Sequence, residues 1–137
     1  MAIDSIPARL LHQAEERPEF PAYYVKEDGE WVGTTWKEYV REVRQAARSQ
    51  IALGLEPGGT VCILGFNRPE WVIFDCACMV AGGAPAGIYT TCSPSEVAYI
   101  INHAESKIVL VEDREQWEKI EEERKNLPKL EHVVLMK

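Results

Sequence analysis

The stretch TVCILGFNRPEWVIFDCACMVAGGAPAGIY, residues 60–89, decides the fold of this chain. It holds two short apolar runs, 61–64 and 86–89, and between them a longer apolar segment, 69–81, that ends at two glycines. Apolar runs without alternation are typical of strands covered on both faces, and the longer segment has the pattern of a helix buried between layers. Strand, helix and strand in this order predict a right-handed crossover between parallel strands.

The same alternation continues along the rest of the sequence. Apolar runs at 108–111 and 133–136 predict two further strands. Helices are expected from 94 to about 103 and from 114 to about 125. The pattern therefore predicts an α/β fold, a layered parallel sheet built from consecutive βαβ units.

The segment ahead of this sheet has a different pattern. Runs at 22–25 and 31–34 flank an Asp28-Gly29 pair, which predicts a small β-hairpin. A short helix from about 6 to 16 is expected before it. After the hairpin, an amphipathic helix is expected to end near Gly54, and its inward-facing residues are Tyr39, Val40, Val43, Ala46, Ala47 and Ile51.

Capping signals mark the starts of four helices. In each, a Ser, Thr, Asn or Asp is followed three residues later by Glu or Gln, so that the first side chain can accept from a free amide of the opening turn. The pairs are Thr35 with Glu38, Asn67 with Glu70, Ser93 with Glu96 and Asp113 with Gln116. The helix after the last pair is expected to turn Trp117 and Ile120 inward.

Composition is that of an ordinary globular domain. The 137 residues are 46% hydrophobic and 27% charged, which predicts one domain or part of one. A net charge of −7 argues against a nucleic-acid partner, because phosphate binding needs a dense basic face. No stretch approaches the roughly 20 apolar residues that span a bilayer, and no secretory leader pattern is present. We therefore expect a cytoplasmic protein without a transmembrane segment.

The four cysteines predict free thiols rather than disulfides or a metal site. Their spacing contains no Cys-x-x-Cys pair, and free thiols fit a reducing cytoplasm. A metal site formed by Cys76, Cys78 and His103 is disfavoured, because residues two apart on a helix point about 200° away from each other. His12 and His132 likewise have no partner pattern of a general base, so we interpret the histidines as structural.

Three motifs carry a family resemblance. They are TWKEY at 35–39, NRPEW at 67–71 and GGAPAGIYTTCSPSE at 82–96. From about residue 6 to about residue 134, the chain resembles the start of the AMP-forming acyl-CoA synthetases, most closely the bubblegum-type long-chain fatty-acid enzymes. The resemblance implies that residues 1–137 are the N-terminal portion of the large AMP-binding domain, incomplete and without a second domain.

The resemblance also implies a reaction for the parent enzyme. A fatty carboxylate attacks ATP to give an acyl-adenylate and pyrophosphate, and the thiol of coenzyme A then displaces AMP. ATP, Mg²⁺ and coenzyme A are the implied cofactors, and the fatty acid and the remainder of the synthetase chain are the implied partners. The parent is expected in the cytoplasm, with a peripheral membrane association as a further possibility.

Candidate site residues lie in the turn after the run 86–89. The resemblance places Tyr89, Thr90, Thr91 and Ser93 at the edge of the channel through which coenzyme A arrives. From the residues alone, the turn lacks the glycines that let a backbone wrap around a triphosphate. The same residues are also explained without a ligand, if Ser93 simply caps a helix that has a proline in its first turn. Arg68 has two similar interpretations, an anion-binding edge or a solvated side chain.

Catalytic residues are not expected within these 137 residues. The family's Ser/Thr/Gly-rich loop with its lysine, its Thr-Glu pair, its ribose-binding aspartate and its mobile lysine have no counterpart here. The piece is therefore expected to be an inactive scaffold that binds none of the cofactors tightly.

A stand-alone α/β module is the alternative function. A dinucleotide-binding domain needs three glycines after a strand, whereas the segment 65–70 supplies one. A phosphoacceptor receiver domain needs an acidic pair after its first strand, and this chain has Gly65-Phe66-Asn67 there. Self-association is also possible, because the strand at 133–136 is expected to leave an exposed sheet edge.

Overall fold

The computed structural model describes residues 4–136. In chain order the elements are α1 (Ile6–Glu16), β1 (Pro21–Glu27), β2 (Glu30–Thr35), α2 (Trp36–Ala52), β3 (Thr60–Leu64), α3 (Pro69–Val80), β4 (Ala84–Ile88), α4 (Pro94–His103), β5 (Ile108–Val111), α5 (Arg114–Glu122), a 3₁₀ turn (Arg124–Asn126) and β6 (His132–Leu135). The alternation predicted from the sequence is confirmed.

The main sheet has four parallel strands in the order β4-β3-β5-β6. On β3, Cys62 is paired with Ala86 of β4 on one side and with Val109 of β5 on the other. Both central strands are almost fully buried, as their unalternating apolar sequences predict. The sheet therefore starts in its middle and is extended first to one side and then to the other.

Helices cover both faces of this sheet. Val97, Ile101 and Ile120 pack from α4 and α5 against one face, whereas Phe74 and Cys78 pack from α3 against the other. An outer layer lies on α3 and is formed by α1 and α2, with a core of Leu10, Tyr39, Val40, Val43, Ala47, Cys76 and Ala77. Burial of this apolar surface is the main source of stability.

The hairpin forms as predicted. β1 and β2 are antiparallel, and the two residues of the turn, Asp28 and Gly29, have φ values of 47° and 89°. Positive φ at both positions is the type I′ geometry that matches the twist of the flanking strands.

Three of the four predicted caps are confirmed. The side chains of Thr35, Ser93 and Asp113 each accept from the amide three residues on. The cap predicted at Asn67 is wrong, because α3 begins one residue later with Arg68 at its N-cap and no side-chain capping bond. Pro69 opens that helix, and a proline there leaves one fewer amide to satisfy.

Two side chains face differently from the prediction. Ile51 is 55% exposed, and the buried residue in that turn of α2 is Gln50, whose Nε2 donates to the Phe74 carbonyl at 2.9 Å. Trp117 on α5 is 36% exposed, whereas Ile120 is fully buried as expected. Gly54 closes α2 with a φ of 98°, as predicted.

The outer strands are less covered than their sequences suggest. β4 and β6 form the two edges, and Leu135 on β6 is 51% exposed. The strand predicted at 86–89 is β4, which begins two residues earlier, at Ala84, and ends at Ile88. Tyr89 therefore lies just after the strand. Among residues 4–136, no helix is both long and apolar enough to cross a bilayer.

Candidate functional site

The carboxyl ends of the parallel strands carry the candidate site. Ligands of doubly wound sheets bind beyond this edge, near the point where successive crossovers go to opposite sides. That point lies between β3 and β5, because β4 is added on one side of β3 and β5 on the other. Residues 65–68 after β3 and Glu112 after β5 lie beside this point, and the segment 89–93 follows the neighbouring strand β4.

The crevice between β3 and β5 is filled by a side chain of the protein itself. Glu112 Oε2 accepts from the Phe66 amide at 2.7 Å. Gly65 leaves room for this approach, because a Cβ there would lie only 3.0 Å from both Glu112 Cβ and Met136 Cε. The backbone amide in the turn after β3 is therefore satisfied by a carboxylate of the protein itself.

Arg68 is held between two carboxylates. Its guanidinium lies 3.1 Å from Glu70 Oε1 and 3.7 Å from Glu112 Oε1. The interpretation of Arg68 as an anion-binding edge is therefore not supported, since two internal anions already compensate its charge.

A cavity of about 510 Å³ lies one strand away, between the segments that follow β3 and β4. Its lining residues are Gly65, Phe66, Asn67, Trp71, Gly87, Ile88, Tyr89, Thr90 and Thr91. Aromatic and apolar groups form much of the wall, with hydroxyl and amide groups near the turn, a mixture typical of small-molecule sites.

Trp71 and Gly87 form one side of this cavity. A Cβ added to Gly87 would come within 3.1 Å of Trp71 Cζ2, so the indole packs against bare backbone of β4. This close approach to a glycine sixteen residues later in the chain depends on how α3 crosses the sheet, and no local pattern in the sequence indicates it.

The turn at 89–92 is fixed from two sides. The Cys92 amide donates to the Tyr89 carbonyl at 3.0 Å, and Lys119 Nζ on α5 donates to the Thr90 carbonyl at 2.5 Å. Tyr89 itself is 83% exposed. The backbone of the turn is thereby held while the phenol ring stays accessible.

Ser93 lies outside the cavity lining. Its amide and hydroxyl donate to Glu96 Oε2 at 2.7 and 2.8 Å, and its Oγ accepts from the Glu96 amide. These hydrogen bonds hold the pKa of the Glu96 carboxyl below its usual value. Of the four residues placed at the channel edge, the structure brings Tyr89, Thr90 and Thr91 together and commits Ser93 to the cap of α4.

Three of the four cysteines are buried thiols. Burial raises the pKa of Cys62 and of Cys78 to about 11. Cys76 lies on the opposite side of α3, with its Sγ 3.4 Å from the Tyr39 hydroxyl. Because a nucleophilic cysteine needs its thiolate form, these residues are packing groups.

Metal-binding side chains are not gathered anywhere in the described part of the chain. Between residues 4 and 136, no group of three or more His, Cys, Asp or Glu side chains could hold an ion. His103 instead stacks on Tyr99, with ring centroids 5.7 Å apart.

The family is shown by a match to the AMP-binding enzyme model over residues 10–137. The chain belongs to this family of AMP-binding enzymes. Its fold, a parallel α/β sheet with a small antiparallel hairpin, is the one found in the N-terminal domains of these synthetases.

Curated relatives indicate the subfamily. The chain is 34% identical over 140 residues to the long-chain-fatty-acid–CoA ligase ACSBG2 of Xenopus laevis, covering 98% of this chain and 19% of that protein. It is 38% identical over 130 residues to ACSBG1 of Homo sapiens, another long-chain-fatty-acid–CoA ligase, covering 94% of this chain and 18% of the relative. The resemblance to bubblegum-type enzymes is confirmed, and the chain spans about a fifth of the length of these relatives.

Solved structures show the same architecture. An anthranilate CoA ligase, AuaEII, solved with anthranoyl-AMP, superimposes with a TM-score of 0.86 at 25% identity, covering 99% of this chain and 26% of that one. The N-terminal domain of FACL13 from Mycobacterium tuberculosis has a TM-score of 0.88 at 20% identity, covering 98% of this chain and 34% of that one. The second likeness concerns the fold alone.

Proposed function

We propose that this chain forms the N-terminal part of the AMP-binding domain of a long-chain fatty-acid–CoA ligase. In the parent enzyme, a fatty acid and ATP give an acyl-adenylate and pyrophosphate, and coenzyme A then takes the acyl group and releases AMP. The support is the identity of 34% and 38% to relatives that are named for this activity. The parent is placed in the cytoplasm, where free cysteines are stable, with any membrane contact peripheral.

The cavity lined by Tyr89, Thr90 and Thr91 is the observation that supports a ligand-binding role for these three residues. We assign Tyr89, Thr90 and Thr91 to the wall of the coenzyme A path, with Ser93 acting through the cap that positions the turn. The pantetheine arm of coenzyme A is a narrow chain in which two polar amide groups are joined by apolar methylene groups. It fits a cavity that combines an indole and backbone glycines with hydroxyl groups.

The chemistry itself is assigned to other parts of the parent enzyme. Among residues 4–136, no three His, Cys, Asp or Glu side chains come together where they could hold a metal ion, and Glu112 occupies the amide in the turn after β3. Formation of the acyl-adenylate needs a metal ion and hydrogen-bond donors that stabilise the negative charge developing on the departing pyrophosphate. We therefore propose that residues 1–137 serve as an incomplete scaffold of one domain, inactive alone and without tight affinity for ATP or coenzyme A.

A domain replacement tests the proposal. The 130-residue matching region of human ACSBG1 is exchanged for this chain, and formation of palmitoyl-CoA from palmitate, ATP, Mg²⁺ and coenzyme A is measured by chromatography. We expect thioester formation by the chimera and none by the isolated chain. A folded chimera without thioester formation contradicts the ligase assignment, and thioester formed by the isolated chain contradicts the scaffold assignment.

The channel assignment needs a matched pair of variants in the same chimera. Thr90→Val with Thr91→Val removes both hydroxyls from the cavity wall, and Ser95→Ala removes a hydroxyl that lies outside it. We expect the KM for coenzyme A to rise in the first variant, while the KM for ATP is unchanged. Equal effects of the two variants would remove these threonines from the channel.

Self-association through the sheet edge is the second candidate function. β6 is an edge strand, and Leu135 on it is 51% exposed, so unpaired backbone groups and apolar surface are both available. Sedimentation of the isolated chain at several concentrations measures this, with Leu135→Lys as the variant expected to abolish it. An association that this variant leaves unchanged does not use the β6 edge.

A further inference from the structure

One lysine holds the turn that lines the cavity. Lys119 lies on α5, and its Nζ donates to the carbonyl oxygen of Thr90 at 2.5 Å. The two residues are 29 positions apart, so the contact joins α5 to the segment that follows β4. Both residues are half-buried, whereas the other charged residues of α5 are exposed. Lys119 is therefore a link within the fold and not a freely solvated charge.

The helix gives this lysine a fixed base. The first turn of α5 is capped by Asp113, whose Oδ1 accepts from the Gln116 amide at 3.0 Å. Gln116 is 5% exposed, and Ile120 is fully buried in the core on that face of the sheet. Lys119 lies about 60° from Gln116 around the helix, because successive residues are about 100° apart. Its side chain therefore starts at the border of the packed side of α5.

The Thr90 carbonyl depends on this contact. Within residues 4–136, no backbone amide donates to that oxygen, and the hydrogen bond inside the turn runs from the Cys92 amide to the Tyr89 carbonyl at 3.0 Å. A hydrogen bond from an ammonium group is about twice as strong as one between neutral groups. When Lys119 is removed, the Thr90 carbonyl is left to solvent and the peptide group is free to rotate.

The peptide group that Lys119 holds is part of the cavity wall. Thr90 and Thr91 both line the cavity of about 510 Å³, and the held carbonyl lies in the peptide group between them. Rotation of this group would move the two hydroxyls relative to the indole of Trp71, which lines the same cavity. Lys119 is not itself a lining residue, so its influence on a ligand passes through the turn.

Direct binding of an anionic ligand is the alternative role for this ammonium group. An ammonium has three donors, of which the Thr90 carbonyl takes one. The position of Lys119 outside the cavity lining favours the first role, because a ligand in the cavity meets the threonines before it meets the lysine.

We propose that Lys119 is a positioning residue for coenzyme A, which keeps the turn at 89–92 in the shape that the pantetheine arm requires. This role depends on the proposed assignment of Tyr89, Thr90 and Thr91 to the coenzyme A path. Coenzyme A enters only after the acyl-adenylate has formed. The effect of Lys119 is therefore confined to the second step, in which the thiol attacks the acyl carbonyl and AMP leaves.

The chimera with human ACSBG1 gives the first test. Lys119→Met removes the ammonium group and keeps an unbranched stem, Lys119→Arg keeps a charged donor, and Lys125→Met is the matched control, an exposed lysine in the 3₁₀ turn. We expect Lys119→Met to raise the KM for coenzyme A about ten-fold, the factor for one hydrogen bond to a charged group. The arginine variant should recover part of this loss, and the control should show none. Pyrophosphate release without coenzyme A should not slow in any of them.

Pantetheine separates positioning from direct binding, because it carries the same thiol arm as coenzyme A but no phosphate. Equal rises in KM for the two thiols support the positioning role, whereas a rise for coenzyme A alone would show that Lys119 contacts a phosphate and would overturn it. Hydrogen exchange on the isolated chain reads the turn directly. The Cys92 amide should lose protection in Lys119→Met, while the Ile63 amide in β3 should not. Unchanged protection at Cys92 would contradict the link.

The outcomes distinguish this role from the ligase assignment. An active chimera in which Lys119→Met leaves the KM for coenzyme A unchanged would overturn the positioning role and leave the ligase assignment in place. A folded chimera of the unaltered chain without thioester formation would remove both. Slower pyrophosphate release in Lys119→Met would indicate a general structural effect and would also overturn the role. Lys119→Gln, with a weaker neutral donor, replaces Lys119→Met if circular dichroism shows that the latter does not fold.

Discussion

The indole of Trp71 lies against the bare backbone of Gly87, so close that a Cβ at residue 87 would come within 3.1 Å of Cζ2. This contact joins the first turn of α3 to β4 and shapes one side of the cavity. A side chain at residue 87 would therefore require the indole to move, a constraint that comes from this contact and not from a turn or a positive φ.

Replacement of Gly87 by alanine should destabilise the protein, although alanine is more favourable than glycine in a β-strand. We expect Gly87→Ala to lower the free energy of unfolding by about 1 kcal/mol, because the indole must shift in a packed layer. In a Trp71→Phe background the smaller ring removes the clash, so the same change should cost little or become favourable. Guanidinium denaturation of the four proteins in a double-mutant cycle measures the coupling. Equal costs in both backgrounds would show that the two residues do not interact.

Helix capping gives a second prediction. Thr35→Ala and Ser93→Ala should each lower the free energy of unfolding by about 1 kcal/mol, since each removes an acceptor for an amide in the first turn. Asn67→Ala is the matched control, because Asn67 has the predicted capping letters but does not cap α3. Urea denaturation should show little change for this control. A loss at Asn67 as large as at Thr35 would contradict the helix start at Pro69.

The carboxylate of Glu112 holds the segment after β3. Glu112→Ala should cost about 1–2 kcal/mol, because the Phe66 amide loses its acceptor and Arg68 loses a partner. Glu112→Gln keeps an acceptor oxygen and should cost less. Glu70→Gln is the control, since it removes only an ion pair that is about one-third exposed. Thermal unfolding of the three variants ranks them, and a neutral Glu112→Ala would contradict this role.

Alkaline pH should unfold the protein through its buried thiols. Burial raises the folded-state pKa of Cys62 and Cys78 from the ordinary 9.0 to about 11. A group whose pKa is raised by folding contributes its full stability below the unfolded value and loses it as pH rises through the folded one. The free energy of unfolding should thus fall between about pH 9 and about pH 11, by at most about 1.4 kcal/mol per pH unit for each thiol.

The double variant Cys62→Ala with Cys78→Ala tests the cause. It should be less stable at neutral pH, because two buried side chains become smaller, yet it should lose less stability between pH 9 and 11. Denaturant titrations across this range give both quantities. An unchanged alkaline slope would show that other groups dominate, with Tyr39, whose pKa burial also raises, as the first to examine.

Local rules in the sequence were sufficient for most of the fold. The apolar runs predicted the strands and helices of the βαβ units, the Asp28-Gly29 pair predicted the hairpin turn, and the capping residues predicted the starts of α2, α4 and α5. Each of these depends on residues within a few positions of one another. The prediction was wrong at Ile51, because hydrophobicity favoured the isoleucine for the inner face while the contact with α3 selects Gln50.

The candidate site was only partly visible in the sequence. Tyr89, Thr90 and Thr91 were placed together because they are neighbours in the chain. The other walls depend on contacts between distant positions, such as Glu112 with Phe66 across 46 residues, and no local pattern reports these. Ser93 was assigned to the channel edge by resemblance, which stays a prediction, and its capping role at the start of α4 is confirmed.

The crevice between β3 and β5 has a consequence for nucleotide recognition. In the described part of this protein, the amide at the switch point is already taken by an internal anion, Glu112, which in turn is neutralised by Arg68. An incoming phosphate would have to displace the Glu112 carboxylate from the Phe66 amide, and it would then compete with Glu70 for Arg68. The Phe66 amide is thus satisfied within the protein, so a ligand at this edge of the sheet has to be held by other groups.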